Sequence, residues 1–317
     1  MLKLIIFFAV VSFIFCGKLS EEFDEERAGM CGKALTPEKP SKNPADDKAP
    51  WTVGVNFGDY FSSGILVSPR HVLAPGLYAV NQPSPKIWKW IDDVKVDMSE
   101  CNDNQMKIPK KTLKGFSVVL SLCQDPEQCG TRIKRLVVEG YYLGNCVNSE
   151  VPFGMILLEI SSNVPQDEPF FTPVCIPAEE KPVFIGDTVH FDSFKTVKDG
   201  QSEEIHIISD SANIEKCGAS VGRFVQSVCG KRSVCNKARN GALVKKIENR
   251  DTVIAIIWQR DDTCKTEHYV SVGFFKDKLC DLAGICKATY TAEESSASSI
   301  QFVFFGFFII LGSFAIL

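Results

Sequence analysis

Between Trp51 and Phe274 the chain breaks into eleven short runs rich in β-branched and aromatic residues. They read WTVGVNF, SSGILVS, HVLA, FSVVLSL, RLVVEGYYL, MILLEI, TVHF, EIHIIS, GALVKKI, TVIAIIW and HYVSVGF, with glycine, proline and charged turns between them. Apolar patterns at the helical period of 3.6 are scarce, so the chain offers little from which to build a helical core. Many short strands with regular turns predict an all-β sandwich or barrel. No internal repeat of fixed period occurs, and no low-complexity segment lies outside the termini.

The two ends of the 317-residue chain differ from this middle. MLKLIIFFAVVSFIFC carries one lysine and then an apolar run ending at Cys16, with Gly17 after it. This reads as a secretory signal, residues 1–17, cleaved near residues 16–18. Residues 18–50 are charged and proline-rich and read as an extended leader over the surface of a folded domain at 51–290. A polar spacer, 291–301, precedes the apolar tail FVFFGFFIILGSFAIL at 302–317. At about 1.5 Å per residue the tail reaches roughly 24 Å, short of a hydrocarbon core of about 30 Å. Preceded by SSASS, it reads as a GPI-attachment signal, with a C-terminal transmembrane anchor as the alternative. Either way the expected location is the secretory pathway and the extracellular face of the plasma membrane, or the medium if the tail is lost.

Roughly 270 residues remain between these ends, enough for one large β protein or two small domains. The formal net charge of −4 speaks against general nucleic-acid binding. Removing Cys16 from the thirteen cysteines leaves twelve, an even number that suits a disulfide-bonded secreted protein. Paired CxxC spacings are lacking, so no metal or other cofactor is expected.

Several motifs occur in a fixed order: APWTVGV (49–55), GILVSPRHVLAPGLY (64–78), FGMILLEI (153–160), PVCIP (173–177), CNKARNGALV (235–244) and IIWQRDDTC (256–264). Together they resemble a trypsin-like serine protease domain. The Cys31-Gly32 leader, the SPRH turn and the ending LCDLAGIC (279–286) resemble, more narrowly, a divergent trypsin-like family of nematodes. The resemblance implies two packed six-stranded antiparallel barrels, with any catalytic groups at the seam between them.

Peptide hydrolysis at such a seam needs a serine oxygen, an imidazole that takes its proton and a buried carboxylate that orients the imidazole. The resemblance places the imidazole position on Leu77, the carboxylate position on Gly154 and the nucleophile position on Arg239. None of these side chains performs the required proton transfer. His71 stands six residues before Leu77 and reads as a packed or surface histidine, and Glu150 as a solvated loop residue. In CNKARNGAL, Lys237 and Ala238 occupy the family's first-glycine and aspartate positions, and a lysine in place of that glycine makes the oxyanion-loop conformation less accessible. No Ile-Val-Gly-Gly start precedes Trp51, so the family's activation pairing also lacks both partners.

The resemblance further implies bridges Cys31–Cys175, Cys217–Cys229 and Cys235–Cys264. Cys280 and Cys286 are close enough in sequence to pair locally. Cys101, Cys123, Cys129 and Cys146 allow three pairings, and Cys101–Cys146 with Cys123–Cys129 is the working choice. Between Lys231 and Arg250 seven basic residues stand against Glu248 alone, so Lys231, Arg232, Lys237 and Arg239 form a candidate patch for an anionic ligand or an acidic partner. Solvated loop charges are the plainer account of the same residues. The expected function is that of a non-catalytic pseudoprotease that binds an extracellular protein or anionic ligand and meets the membrane through its tail. A serine endopeptidase with rearranged catalytic residues and a structural surface protein are the alternatives.

Overall fold

The computed structural model describes residues 17–33, 44–84, 87–120, 122, 132–146, 151–164, 172–199, 202–218, 225–234, 238, 240–259 and 266–288. Fifteen strands among them form two closed barrels and one hairpin. The first barrel uses β1 (Thr52–Phe57), β2 (Phe61–Ser68), β3 (His71–Pro75), β7 (Phe116–Leu120), β8 (Ile133–Asn145) and β9 (Phe153–Ile160). It runs β8-β7-β1-β2-β3-β9 and closes where β9 pairs back onto β8. A short strand, β6 (Gln105–Lys107), extends β8, and β4 (Val80–Ser84) pairs with β5 (Ile87–Trp90) as a separate hairpin.

The second barrel contains β10 (Thr188–Asp199), β11 (Ser202–Glu215), β12 (Ser227–Arg232), β13 (Ala242–Ile247), β14 (Arg250–Gln259) and β15 (Glu267–Ser271), in the order β10-β11-β12-β15-β14-β13. Pairing of β13 with β10, from His190↔Val244 to Asp192↔Ala242, closes it. All these ladders are antiparallel, as expected for short strands joined by tight turns.

Strand alternation explains how one strand serves two cores. On β13, Leu243 points into the second barrel with Phe191 and Tyr269, whereas Ala242 and Val244 join the larger cluster shared with the first barrel. β9 is buried at every position, so FGMILLEI reads as a near-continuous apolar run. β8 is half-exposed, and its first half alternates between covered and exposed residues.

The leader is not simply extended. Glu21–Met30 form a helix, α1, because Ser20 accepts from the Phe23 amide at the N-cap and acidic residues occupy the first turn. A second short helix, α2, spans Pro44–Lys48. Helix α1 is held by buried polar contacts that the charged composition of the segment did not signal. Arg27 Nε donates to Asp24 Oδ1 at 2.7 Å, and Asp24 Oδ2 accepts from the Cys286 and Lys287 amides at 2.8 Å each. Just beyond the helix, Gly32 takes φ +65°, where a Cβ would come within 2.4 Å of the Asp251 carbonyl oxygen, so only glycine lets the leader strap lie there.

Among the described residues four disulfides form: Cys31–Cys175, Cys101–Cys146, Cys217–Cys229 and Cys280–Cys286. The first ties α1 to the domain. The last closes the end of α4, the C-terminal helix Lys276–Ala283 that follows the four-residue α3 (Lys110–Leu113) in chain order. Cys123, Cys129, Cys235 and Cys264 lie outside the described residues, as do the apolar segments 1–16 and 302–317.

Candidate functional site

The seam position expected to carry an imidazole sits where β3 ends. Pro75 closes the strand, a 3-10 turn spans Gly76–Tyr78, and Leu77 at its centre is 36 % exposed. The turn lies hard against the start of β9, since a Cβ on Gly76 would stand 2.6 Å from the Gly154 carbonyl oxygen. The structure therefore sets the turn that carries Leu77 against Gly154.

Gly154 is a glycine for a steric reason. A Cβ there would meet Tyr142 Cζ and Oη at 2.5 Å and the Leu143 carbonyl oxygen at 2.7 Å. Tyr142 comes from β8, is fully buried, and packs edge-on against Trp88 of the β4–β5 hairpin at 5.9 Å between ring centroids. The space into which a side chain at position 154 would project is filled by a phenol. Burial pushes the Tyr142 hydroxyl well above its ordinary range, so it stays protonated and supplies no base.

The nucleophile loop is described at Ala238 and from Asn240 onward, and Arg239 and Lys237 lie outside the described residues. Ala238, where an aspartate was the family expectation, is buried in the core of the second barrel. Asn240 adopts φ +59° and crosses the seam: its Nδ2 donates to Tyr78 Oη at 2.6 Å and to Ser62 Oγ at 3.2 Å. Its carbonyl oxygen accepts from Ser193 Oγ. The seam is thus pinned by a neutral hydrogen-bond network between Asn240 and Tyr78, the neighbour of Leu77. Nearby, Trp258 Nε1 donates to the Pro152 carbonyl at 2.8 Å and its ring packs on Phe153 at 4.8 Å.

His71 lies at the other end of β3, four residues and roughly 13 Å from Pro75 along the strand. It is buried, and its Nδ1 is 2.7 Å from Ser68 Oγ. Burial first, then the charges of Arg70 and Arg27, push its pKa down to about 3, so it is neutral at physiological pH. It is the packed histidine of the two readings. Glu150 lies outside the described residues.

The candidate basic patch is corrected by the structure. Arg232 points into the second barrel, pairs with Glu267 through two nitrogens at 2.8 and 2.6 Å, and stacks over Phe191 at 4.5 Å. Inward alternation on β12 removes it from the surface, where Lys231 remains. Lys245 pairs with Asp187 at 2.7 Å, and Arg250 donates to the Cys31 and Gly29 carbonyls of the leader. Most of the basic residues between 231 and 250 that are described are therefore internal fastenings.

Among the described residues, cavities of about 490 and 400 Å3 lie on the second barrel away from Leu77 and Gly154. The larger is lined by Ile185, Val225, Ser227, Glu215 and the Cys217–Cys229 bridge, among others. Its rim carries Ile185 and Val225, each about 70 % exposed, with the exposed Phe184 beside Ile185 in sequence.

Sequence reasoning missed Tyr142 and the Asn240–Tyr78–Ser62 network. A signal for the first exists: Gly144 and Gly154 face each other across β8 and β9, a pair that marks close backbone approach once the register is known.

Two closed six-stranded antiparallel barrels, meeting at a seam that carries the ordered motifs, define a trypsin-like protein. A family model, the nematode trypsin-6-like family, matches residues 1–286, and the chain belongs to that family. Among solved structures the chain is similar to the scabies mite inactivated protease paralogue S-D1, with a TM-score of 0.51 and 10% sequence identity over 74% of this chain and 93% of that one. No curated protein sequence matches the chain significantly.

Proposed function

We propose that the protein is a non-catalytic member of the trypsin-like class, displayed outside the cell, whose work is binding rather than hydrolysis. The observation that carries this reading is Gly154. At the position aligned with the orienting carboxylate there is no side chain, and Tyr142 leaves no room for one. Leu77 in the adjacent turn accepts no proton. Removing a single triad member already costs several orders of magnitude in rate. The similarity to a solved protein described as an inactivated protease paralogue supports the same reading.

The apolar rim of the 490 Å3 cavity, rather than the basic residues, is the favoured contact face for an extracellular protein partner. The C-terminal apolar tail is read as the membrane attachment, by GPI or by a transmembrane helix.

The test of the central claim is labelling of the folded protein with a fluorophosphonate probe. No labelling is expected, and stoichiometric labelling would establish a rearranged serine hydrolase instead. Release from cells by phosphatidylinositol-specific phospholipase C separates the two anchors. Pull-down with the released protein, compared with a Phe184→Ser, Ile185→Ser, Val225→Ser variant, tests the contact face: a partner lost by the variant supports it, and one retained in full argues against it.

A further inference from the structure

Gly17, at the entry to the leader, is docked on the first barrel. Its backbone nitrogen lies 3.0 Å from Glu159 Oε1. Two residues on, the Leu19 amide donates to the Ala283 carbonyl at the end of α4 at 2.8 Å, and Ser20 then caps α1. The entry to the leader is therefore set against both the first barrel and the C-terminal helix.

Glu159 is an unusual acceptor. It sits on β9, which is buried throughout, and only 6 % of it is exposed. Arg70 reaches the same oxygen at 2.5 Å. Across the β8–β9 ladder its direct partner is Glu139, a like charge, and its partner on β3 is His71, which carries no charge. Even with Arg70 beside it, burial holds the Glu159 carboxyl above its ordinary range. One cation does not offset the desolvation and the neighbouring carboxylate, so a second positive group is favoured here. A peptide N–H offers a hydrogen bond and no charge. A free α-amine at the same atom offers both.

We propose that the mature chain starts at Gly17 and that its α-ammonium, released by hydrolysis of the Cys16–Gly17 peptide bond, docks on the Glu159 carboxylate and fastens the leader to the first barrel. This rests on the secretory reading of the apolar N-terminus, with the cut placed after Cys16 instead of after Gly17. In the cleavage, water adds across the amide. The Cys16 carbonyl carbon takes the hydroxyl and leaves as the carboxylate of the signal. The Gly17 nitrogen keeps the bonding electron pair, is protonated and becomes the ammonium.

The experiment is expression of the full chain in a secretory host, followed by terminal-peptide mass spectrometry and by α-amine acylation at neutral pH. The expected terminus is Gly17. Pairing with Glu159 raises the α-amine pKa, so acylation at Gly17 should be slower by about tenfold or more than in Glu159→Gln, one pKa unit being a factor of ten in free amine. Glutamine keeps the shape and a hydrogen-bond acceptor while removing the charge. A mature terminus at Lys18 or beyond overturns the docking and leaves secretion standing, whereas an uncleaved chain overturns both. Equal acylation rates in wild type and Glu159→Gln also overturn it. If the variant is not secreted, native and denatured wild type are compared, and equal rates there overturn the proposal as well.

Discussion

At the scale of single residues, the seam is governed by Gly154 and by Asp192. Replacing Gly154 with alanine forces a methyl group into Tyr142 and the Leu143 carbonyl. Overpacking of this kind costs about 1–3 kcal/mol, which thermal unfolding would register as a fall of several degrees. Shrinking the obstacle should reduce that cost, so Gly154→Ala and Tyr142→Ala are expected to be non-additive in a double-mutant cycle. For the same reason Leu77→His, Gly154→Asp, Arg239→Ser together should yield no measurable amidase. Asp192 is buried beneath the seam, where Trp51 Nε1 and Ser209 Oγ donate to it at 2.9 and 2.7 Å. Burial pushes its pKa up to about 7, and Asp251 and Asp210 add like charge. An acid whose folded pKa is raised binds its proton in the native state where the unfolded chain has lost it. Its contribution is therefore complete below about pH 4 and declines as pH rises toward 7, by up to roughly 4 kcal/mol. Denaturant titrations across that window should show the decline, and Asp192→Asn should flatten it.

At the scale of elements, α1 shows why the leader was read only in part. Its charged residues suggested a solvated segment, yet Asp24 and Arg27 are buried and spend their polar groups on each other and on the backbone at Cys286–Lys287. Local composition does not reveal a partner more than 250 residues away. Arg27→Ala leaves Asp24 buried without its ion, a change that costs about 3–5 kcal/mol. Limited proteolysis within residues 21–33 should accelerate in that variant. The same distinction applies to β12, where alternation sends Arg232 inward and leaves Lys231 outside. Counting charges along the chain cannot separate the two until the strand's inner face is known.

For the whole molecule, the strand order and the bridges between distant segments set the cohesion. Cys31–Cys175 closes a separation of 144 residues and Cys101–Cys146 one of 45. Removing the former by paired serine substitution should cost about 2–5 kcal/mol and release α1 first, because no residue of α1 belongs to the apolar core of either barrel. Calorimetry with protease mapping would show the order of release.

The sequence by itself determined the all-β class, the ordered motifs that align with a two-barrel scaffold, and the side chains at residues 77, 154 and 239. These follow from local period, turn chemistry and residue identity, all of which are written along the chain. Only the tertiary structure decided that Tyr142 fills the space beside Gly154, that Asn240 bridges to Tyr78, that Arg232 faces Glu267, and that Gly17 meets Glu159. Each of these depends on strand register and on packing between residues far apart in sequence, and register is settled only when the barrels close and every buried polar group must find a partner.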